Sequence, residues 1–470
     1  MSFSPNAAHL ERIRIFFDSP QSEPTRASRS YRRVIARYYN LLIPTHGSVL
    51  EIGCGDGQLL ASLHCKTKVG VDLSARQLEQ ARATVPNATF YQQAGEELEI
   101  PGFFDYIIIS DTLNLVADVQ ALLVRLRSNA HDRTRLLVNY PNNLWRPIFA
   151  VACTVGIRRR QPASSWLSRH DVAQLLTLAG WEVIKSQPRL LWPLNAPSIV
   201  TGLNRWVAPL APALCLSVFT LARPRPHNEA SALSVSVVVP ARNEAGNIAA
   251  VVERTPEMGR WTELIFVEGH SSDQTWGEVE KVRLAHPDRR ITTLRQSGTG
   301  KGNAVRDGFA VAQGDIVMIL DADLTVPPED LPKFYEAVAT GRCDFANGSR
   351  LVYPMESRAM QFLNMVANKC FGMAFSWLLE QHVKDTLCGT KVLRREDYLK
   401  IAANRSYFGD FDPFGDFDLL FGADKLNLKI VDVPIRYRDR TYGSTNIHRW
   451  RHGWLLLRMA SFAARKLKFV

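Results

Sequence analysis

The sequence predicts an α/β protein built from two doubly wound domains, and three observations carry that reading. An apolar run, Ser48-Val49-Leu50-Glu51-Ile52, enters the glycine-rich turn Gly53-Cys54-Gly55-Asp56-Gly57, and a second run, Val69-Gly70-Val71, ends in Asp72. A separate series of β-branched runs, Val235–Val239, Glu263–Val267 and Ile316–Leu320, alternates with helix-opening segments. Strands that alternate with helices indicate largely parallel sheets. Between the two series, Ala222 to Ser231 is polar and carries Pro224 and Pro226, the composition of a linker. The expected organisation is a domain over residues 1–223, a linker over 224–233 and a second domain over 234–470.

Bulk properties bound the function. A chain of 470 residues exceeds one ordinary core. Hydrophobic content of 46% and charged content of 22% are those of a globular protein. A net charge of +11 favours anionic partners, among them phosphorylated substrates and anionic lipid. No nucleic-acid recognition motif accompanies it, so nucleic acid is not expected as a partner. The seven cysteines contain no CxxC pair. Neither a zinc cluster nor a disulfide framework follows, and a reducing cytosol fits. Met1 to Arg14 lacks an apolar signal core, and the run from Trp206 to Ala222 is broken by Pro209 and Pro212 and is too short to span a membrane.

In the first half, a helix is expected from Gln58, then strands over Val69–Leu73, Thr89–Gln92, Phe104–Ser110, Leu136–Tyr140, Trp181–Lys185 and Cys215–Ala222. A helix over Ser168–Gly180 has Ser168 as its N-cap. The glycines allow a tight turn and close approach of a ligand, and an acidic strand end such as Asp72 accepts hydrogen bonds from a ribose diol. A dinucleotide-binding fold shares this turn, and a turn without ligand is also open. Glu51 at the strand end, the spacing to Asp72 and the later Gly95-Glu96-Glu97 together resemble the class I S-adenosylmethionine-dependent methyltransferases, a Rossmann-like fold, over about residues 30–223. The resemblance implies that Glu51, Gly53, Gly55 and Gly57 line the methionine part of S-adenosylmethionine. It places Asp72 on the ribose and Glu96 near the adenine. His131 and His170 stand in loop or helix-start positions without an assigned role, and a non-catalytic binding module is the alternative for this half. The apolar, Pro-rich stretch from Pro188 to Pro212 suits a cap over the substrate site, and an apolar acceptor or a membrane contact would fit it.

In the second half, the strand ending at Leu320 runs into Asp321-Ala322-Asp323. Two carboxylates one residue apart supply hard oxygen ligands for Mg2+ or Mn2+; taken alone, they are equally a polar strand exit. The segments VVVPARNE, LIFVEGHSSDQTW, GKGNAVRDGF and GDIVMILDADL resemble a family 2 glycosyltransferase, a nucleotide-sugar fold of GT-A type. Asn347 to Arg350, Asp385 to Lys391 and Asp439 to Thr445 are similar to its polyprenyl-phosphate branch, that of dolichyl-phosphate mannose synthase. The resemblance implies inverting transfer from a GDP- or UDP-sugar, with metal held by Asp321 and Asp323. Pro240, Glu244 and Glu268 are implied to line the nucleotide, although the family often has Asp where Glu268 stands. Lys301 either meets the diphosphate or is a solvated loop lysine. Arg350, Lys391 and Arg440 match basic positions of the family, whereas Thr445-Asn446 stands where the family has Ser-Lys. A lipid-phosphate acceptor is already an oxyanion and needs cations rather than a base. A glycan hydroxyl would need a carboxylate, for which Asp416 and Asp418 are candidates beside their reading as a helix-start pair. The tail from Arg449 to Phe469 mixes bulky apolar groups with Arg and Lys, as an interfacial helix on anionic lipid does, with a helix packed on the protein's own core as the alternative. The expected whole is a bifunctional enzyme at the cytoplasmic membrane face, peripheral to it, acting in one glycan or glycolipid pathway.

Overall fold

The computed structural model describes residues 5–20, 25–155, 162, 165–192, 202–226, 232–352, 362–405, 416–438, 442 and 449–469. The chain divides into two units, Met1–Arg225 and Pro226–Lys468.

The first unit is a seven-stranded sheet: β1 (Ser48–Ile52), β2 (Thr67–Asp72), β3 (Thr89–Gln92), β4 (Phe104–Ser110), β5 (Ala130–Pro141), β6 (Trp181–Arg189) and β7 (Ser217–Pro224). Their spatial order is β3-β2-β1-β4-β5-β7-β6. All pairs are parallel except those of β7, which runs antiparallel to β5 and β6. Side chains alternate across a sheet, and here both faces are buried. Leu50, Ile107, Ile109, Leu136 and Val138 pack on one face. Val49, Ile108 and Leu137 pack on the other, under Ile35 and Tyr39 of the helix Arg26–Leu42. That double cover is why the strands read as unbroken apolar runs.

The expected helix after Ser168 spans Arg169–Leu178, with Ser168 and Asp171 closing a capping box. β5 starts at Ala130, ahead of the expected Leu136. Its polar opening is held in the sheet by the Thr134 hydroxyl, which donates to the Phe104 carbonyl at 2.6 Å beside a register shift in β4.

The second unit is also seven-stranded: β8 (Val235–Ala241), β9 (Thr262–Glu268), β10 (Arg290–Arg295), β11 (Ile316–Ile319), β12 (Phe345–Ser349), β13 (Lys391–Arg394) and β14 (Ile430–Pro434). The order is β10-β9-β8-β11-β13-β12-β14. The expected parallel core is present in β8, β9, β10 and β11, but β13 inserts antiparallel between β11 and β12. The helix Lys301–Val311 lies close on β8, because a Cβ at Gly308 would come within 2.4 Å of a Val238 methyl.

The helix Phe362–Leu379 buries Phe375, Leu378 and Leu379. The last helix, Arg449–Leu467, reads from composition either as a lipid-facing helix or as one packed on its own core. It buries Met459, Ala463 and Leu467, at four-residue spacing, in the same core cluster and leaves Leu457, Arg458 and Arg465 exposed. One face of the tail therefore belongs to its own unit. Lys468 pairs with Glu380 below it. All seven cysteines are free. Among the described residues, no helix is long and apolar enough to cross a membrane.

Candidate active sites

In the first unit, β1 ends in a left-handed turn, with Gly53, Gly55 and Gly57 at φ of 71°, 52° and 74°. Gly53 is also required by space: a Cβ there would lie 2.4 Å from the Thr112 hydroxyl oxygen. Asp72, at the end of β2, pins the turn, its carboxylate accepting from the N–H groups of Gly55 at 2.8 Å and Ser74 at 2.9 Å. Burial pushes the Asp72 carboxyl up, while those N–H groups pull it back.

Glu51 is 2% exposed, and among the described residues its Oε2 has no hydrogen-bond partner. Burial, then the charges of Asp72 and Asp56, raise its pKa well above the usual carboxylate range. Glu96 accepts at Oε1 from the Ala117 N–H at 2.8 Å, tying the turn after β3 to the loop after β4. Glu51, Gly53, Gly55, Asp72 and Glu96 line one cavity of about 2110 Å³. Gly57 does not line it; it opens the helix Gln58–Ser62 against Ala81. His131 and His170 do not line it either, and His131 lies beside Asp105 at 3.4 Å.

The sequence offers Asn139 to Asn143, at the end of β5, as a substrate contact or a structural turn, but not the polar network that Asn139 joins beside this cavity. Asp111 sits just past β4 in the left-handed region, at φ 51°. It accepts from the Tyr31 hydroxyl and the Asn139 amide, both at 2.8 Å, and the Tyr39 hydroxyl donates to Asn139 Oδ1 at 2.7 Å. Burial, reinforced by Asp111, holds both tyrosines protonated far above their ordinary range. The polar triplet Ser110-Asp111-Thr112 at a strand end was the available signal.

In the second unit, Asp321 and Asp323 lie just past β11. Lys301 Nζ approaches Asp321 Oδ1 at 2.6 Å. Asp323 Oδ1 accepts from the Thr325 N–H at 3.1 Å and its hydroxyl at 2.8 Å. Gly389 closes over this pair: a Cβ there would lie 2.2 Å from both Asp321 Oδ2 and Lys301 Nζ.

The loop that carries Gly389 is anchored at both ends. Arg350 grips Asp385 bidentately, Nε at 2.7 Å and Nη2 at 2.9 Å, and Asn368 adds a third bond at 2.8 Å. The Asp385 carboxylate is 0% exposed, and despite burial the Arg350 charge holds its pKa down at about 2. At the other end Lys391 is fully buried and donates to the Cys388 carbonyl. Arg350 and Lys391, expected to contact substrate, are thus engaged with the Asp385–Lys391 loop.

Pro240 lies on β8 opposite Val267, and Glu268 ends β9 opposite Ala241. Glu244 accepts from the Asn247 amide at 2.7 Å, and Glu268 accepts from the Ser271 N–H at 2.5 Å. Asp418 is buried and paired with Arg405 at 2.8 Å. Asp416 opens the helix Asp416–Lys425, with its side chain outside the described residues, as is all of Arg440. Among the described residues, no group of three His, Cys, Asp or Glu gathers as a metal cage. The Asp321 and Asp323 pair nonetheless fits a magnesium-type ion, which takes one or two carboxylates and completes its shell with substrate phosphates.

Two outcomes follow from these charges. Native Glu51 keeps its proton at pH values where the unfolded chain releases it, so it costs stability increasingly as pH rises from the ordinary carboxylate range to its raised pKa. Glu51→Gln should therefore raise the melting temperature of the ligand-free protein at pH 8 more than at pH 5, while weakening S-adenosylmethionine binding in calorimetry. Asp385 has the opposite sign: its stabilisation is complete above the unfolded pKa and is lost as pH falls toward about 2. Asp385→Ala should cost about 3–5 kcal/mol in urea unfolding at pH 7 by stranding the Arg350 charge. Arg350→Lys should fail to restore the bidentate grip.

Residues 236–401 match glycosyl transferase family 2, and residues 25–186 match a methyltransferase domain family. The chain is 30% identical over 213 residues to a polyprenol monophosphomannose synthase of Mycolicibacterium smegmatis, covering 44% of this chain and 78% of that protein. It is 29% identical over 222 residues to a dolichol-phosphate mannosyltransferase of Pyrococcus furiosus, covering 46% of this chain and 59% of that protein. Among solved structures, a Pyrobaculum calidifontis mannosyltransferase in complex with GDP-Man and Mn2+ is 21% identical, with a TM-score of 0.37, over 51% of this chain and 66% of that one. The fold itself is read from the strand orders of the two sheets. With a methyltransferase domain joined ahead of its glycosyltransferase domain, the chain belongs to glycosyl transferase family 2.

Proposed function

We propose that the chain is a bifunctional enzyme. Residues 1–223 bind S-adenosylmethionine and methylate an acceptor. Residues 234–470 transfer a sugar, with inversion, from a GDP- or UDP-sugar to a polyprenyl-phosphate-type lipid. The observation that carries the second activity is the packing of Gly389 over Asp321 and Lys301. It sets a carboxylate, an ammonium and a side-chain-free backbone at one strand end, where a diphosphate can approach closely. The relatives named as dolichol-phosphate and polyprenol-phosphate sugar transferases support the acceptor class.

The residues divide the work. Asp321 and Asp323 would hold a divalent ion, which when bound supplies charge stabilisation to the departing diphosphate. Lys301, at the first position of its helix, adds a point charge and the helix N-terminus behind it. Arg350 and Lys391 position the loop. Pro240, Glu244 and Glu268 border the nucleotide, and Arg440 is assigned to the acceptor phosphate. In the first unit, Glu51 with its orphan oxygen fits the ammonium of the methyl donor, Asp72 borders the ribose and Glu96 the adenine. Methyl transfer then needs chiefly proximity and orientation.

A hydroxyl acceptor is the second reading. Against it stands Asp418, whose carboxylate is 8% exposed and already engaged by Arg405. The test is Mn2+- or Mg2+-dependent transfer from GDP- and UDP-sugars to polyprenyl phosphate. Asp321→Asn and Gly389→Ala should each lower turnover at least about a hundredfold, while Asp416→Asn and Asp418→Asn should retain it. A collapse in either of the last two variants would assign the reaction to a hydroxyl acceptor.

A further inference from the structure

The helix Arg146–Thr154, in the first unit, buries no side chain. Ile148, Val151 and Val155 recur at helical spacing and are 51%, 61% and 60% exposed, with Leu144 one turn earlier at 57%. The surface continues across a neighbouring segment. The Trp145 indole donates to the Leu214 carbonyl at 3.0 Å and the Asn142 amide to the Ala213 carbonyl at 2.9 Å, which brings exposed Leu210 and Leu214 beside the helix. Solvated faces of monomeric proteins rarely gather so many bulky apolar groups.

Charge selects the occupant. The sequence has no carboxylate between Asp132 and Asp171, nor between Glu182 and Glu229. The same two stretches hold Arg146, Arg169 and Arg205, all three exposed, with Arg146 at the start of the helix. An apolar face with basic and no acidic residues matches an anionic bilayer rather than water or an acid-poor protein surface. The helix also borders the methyl-transfer cavity: Trp145, Ile148 and Phe149 line it, with Trp192 packed on Trp145 at 6.2 Å between ring centres. Ile148 is both exposed and cavity-lining, so it stands at the mouth.

We infer that this face docks on an anionic lipid bilayer and admits a lipid-borne methyl acceptor directly into the cavity. The docking stands on the surface alone; only the identity of the acceptor rests on the methyltransferase reading above. The cavity, at about 2110 Å³, exceeds the roughly 300–1,000 Å³ of a single small-molecule site and has room for donor and acceptor together.

The experiment is flotation of the full chain with phosphatidylcholine vesicles, alone or with phosphatidylglycerol at about a third of the lipid. Val151→Glu with Val155→Glu, neither of which lines the cavity, should lower partitioning onto the anionic vesicles about tenfold. Leu210→Glu with Leu214→Glu should act in the same direction, and Leu178→Glu, exposed elsewhere in the unit, should not. Unchanged partitioning in both double variants overturns the inference. So does loss of self-association in sedimentation with vesicle binding intact, which would make the face a subunit interface. S-adenosylmethionine calorimetry on the same variants reports their folding. No binding by the wild type would sink the methyltransferase reading and leave the flotation result to decide the docking.

Discussion

Both units rest on one constraint: a central strand hydrogen-bonded on both edges to parallel neighbours and covered on both faces. β1 lies between β2 and β4, and β8 between β9 and β11. Such a strand has no edge and no open face for polar chemistry, so functional groups can emerge only at its carboxyl end. Glu51, Asp72 and Asp111 gather at that end of the first sheet, and Glu268, Asp321 and Asp323 at that of the second. The price is burial of charge. The first unit leaves Glu51 with an unsatisfied oxygen, whereas the second surrounds Asp385 with Arg350 and Asn368. A buried acid with an unpaired oxygen suits a place where a cation binds, and a saturated ion pair suits a scaffold.

That contrast separates contact from support. Arg350 and Lys391 occupy motif positions, and their charge alone suggests that they touch phosphate. Their geometry instead fastens the Asp385–Lys391 loop so that Gly389 meets Asp321 without a side chain between them. In the proposed site, replacing either cation would act on Asp321 and Lys301 through this loop rather than by direct contact.

Local features were legible in the sequence. The glycine turn, the acidic strand ends and the Ser168 cap each depend on a few adjacent residues, and their physics is contained in that window. Long-range features were not. The grip of Arg350 on Asp385, the insertion of β13 between β11 and β12, and the polar opening of β5 all depend on partners far along the chain. The last helix shows the same limit: its mixed composition suits lipid, yet Met459, Ala463 and Leu467 are buried in a core that reaches back to Val238. The exposed apolar face is half legible for a related reason: the sequence offers Pro188 to Pro212, with Leu210, for membrane contact, but not the neighbouring helix. A run such as Leu144 to Val155 reads equally as core or as surface until packing decides.

In the proposed enzyme, one chain holds two separate ligand sites, one for each sheet. The most direct test is calorimetric titration of the full chain with S-adenosylmethionine and, separately, with GDP- and UDP-sugars in the presence of Mn2+. Each ligand class should bind once per chain. Asp72→Ala should abolish the first isotherm and spare the second, and Asp321→Ala should do the reverse. Loss of both isotherms in either variant, in a protein that still melts cooperatively, would contradict two separate sites.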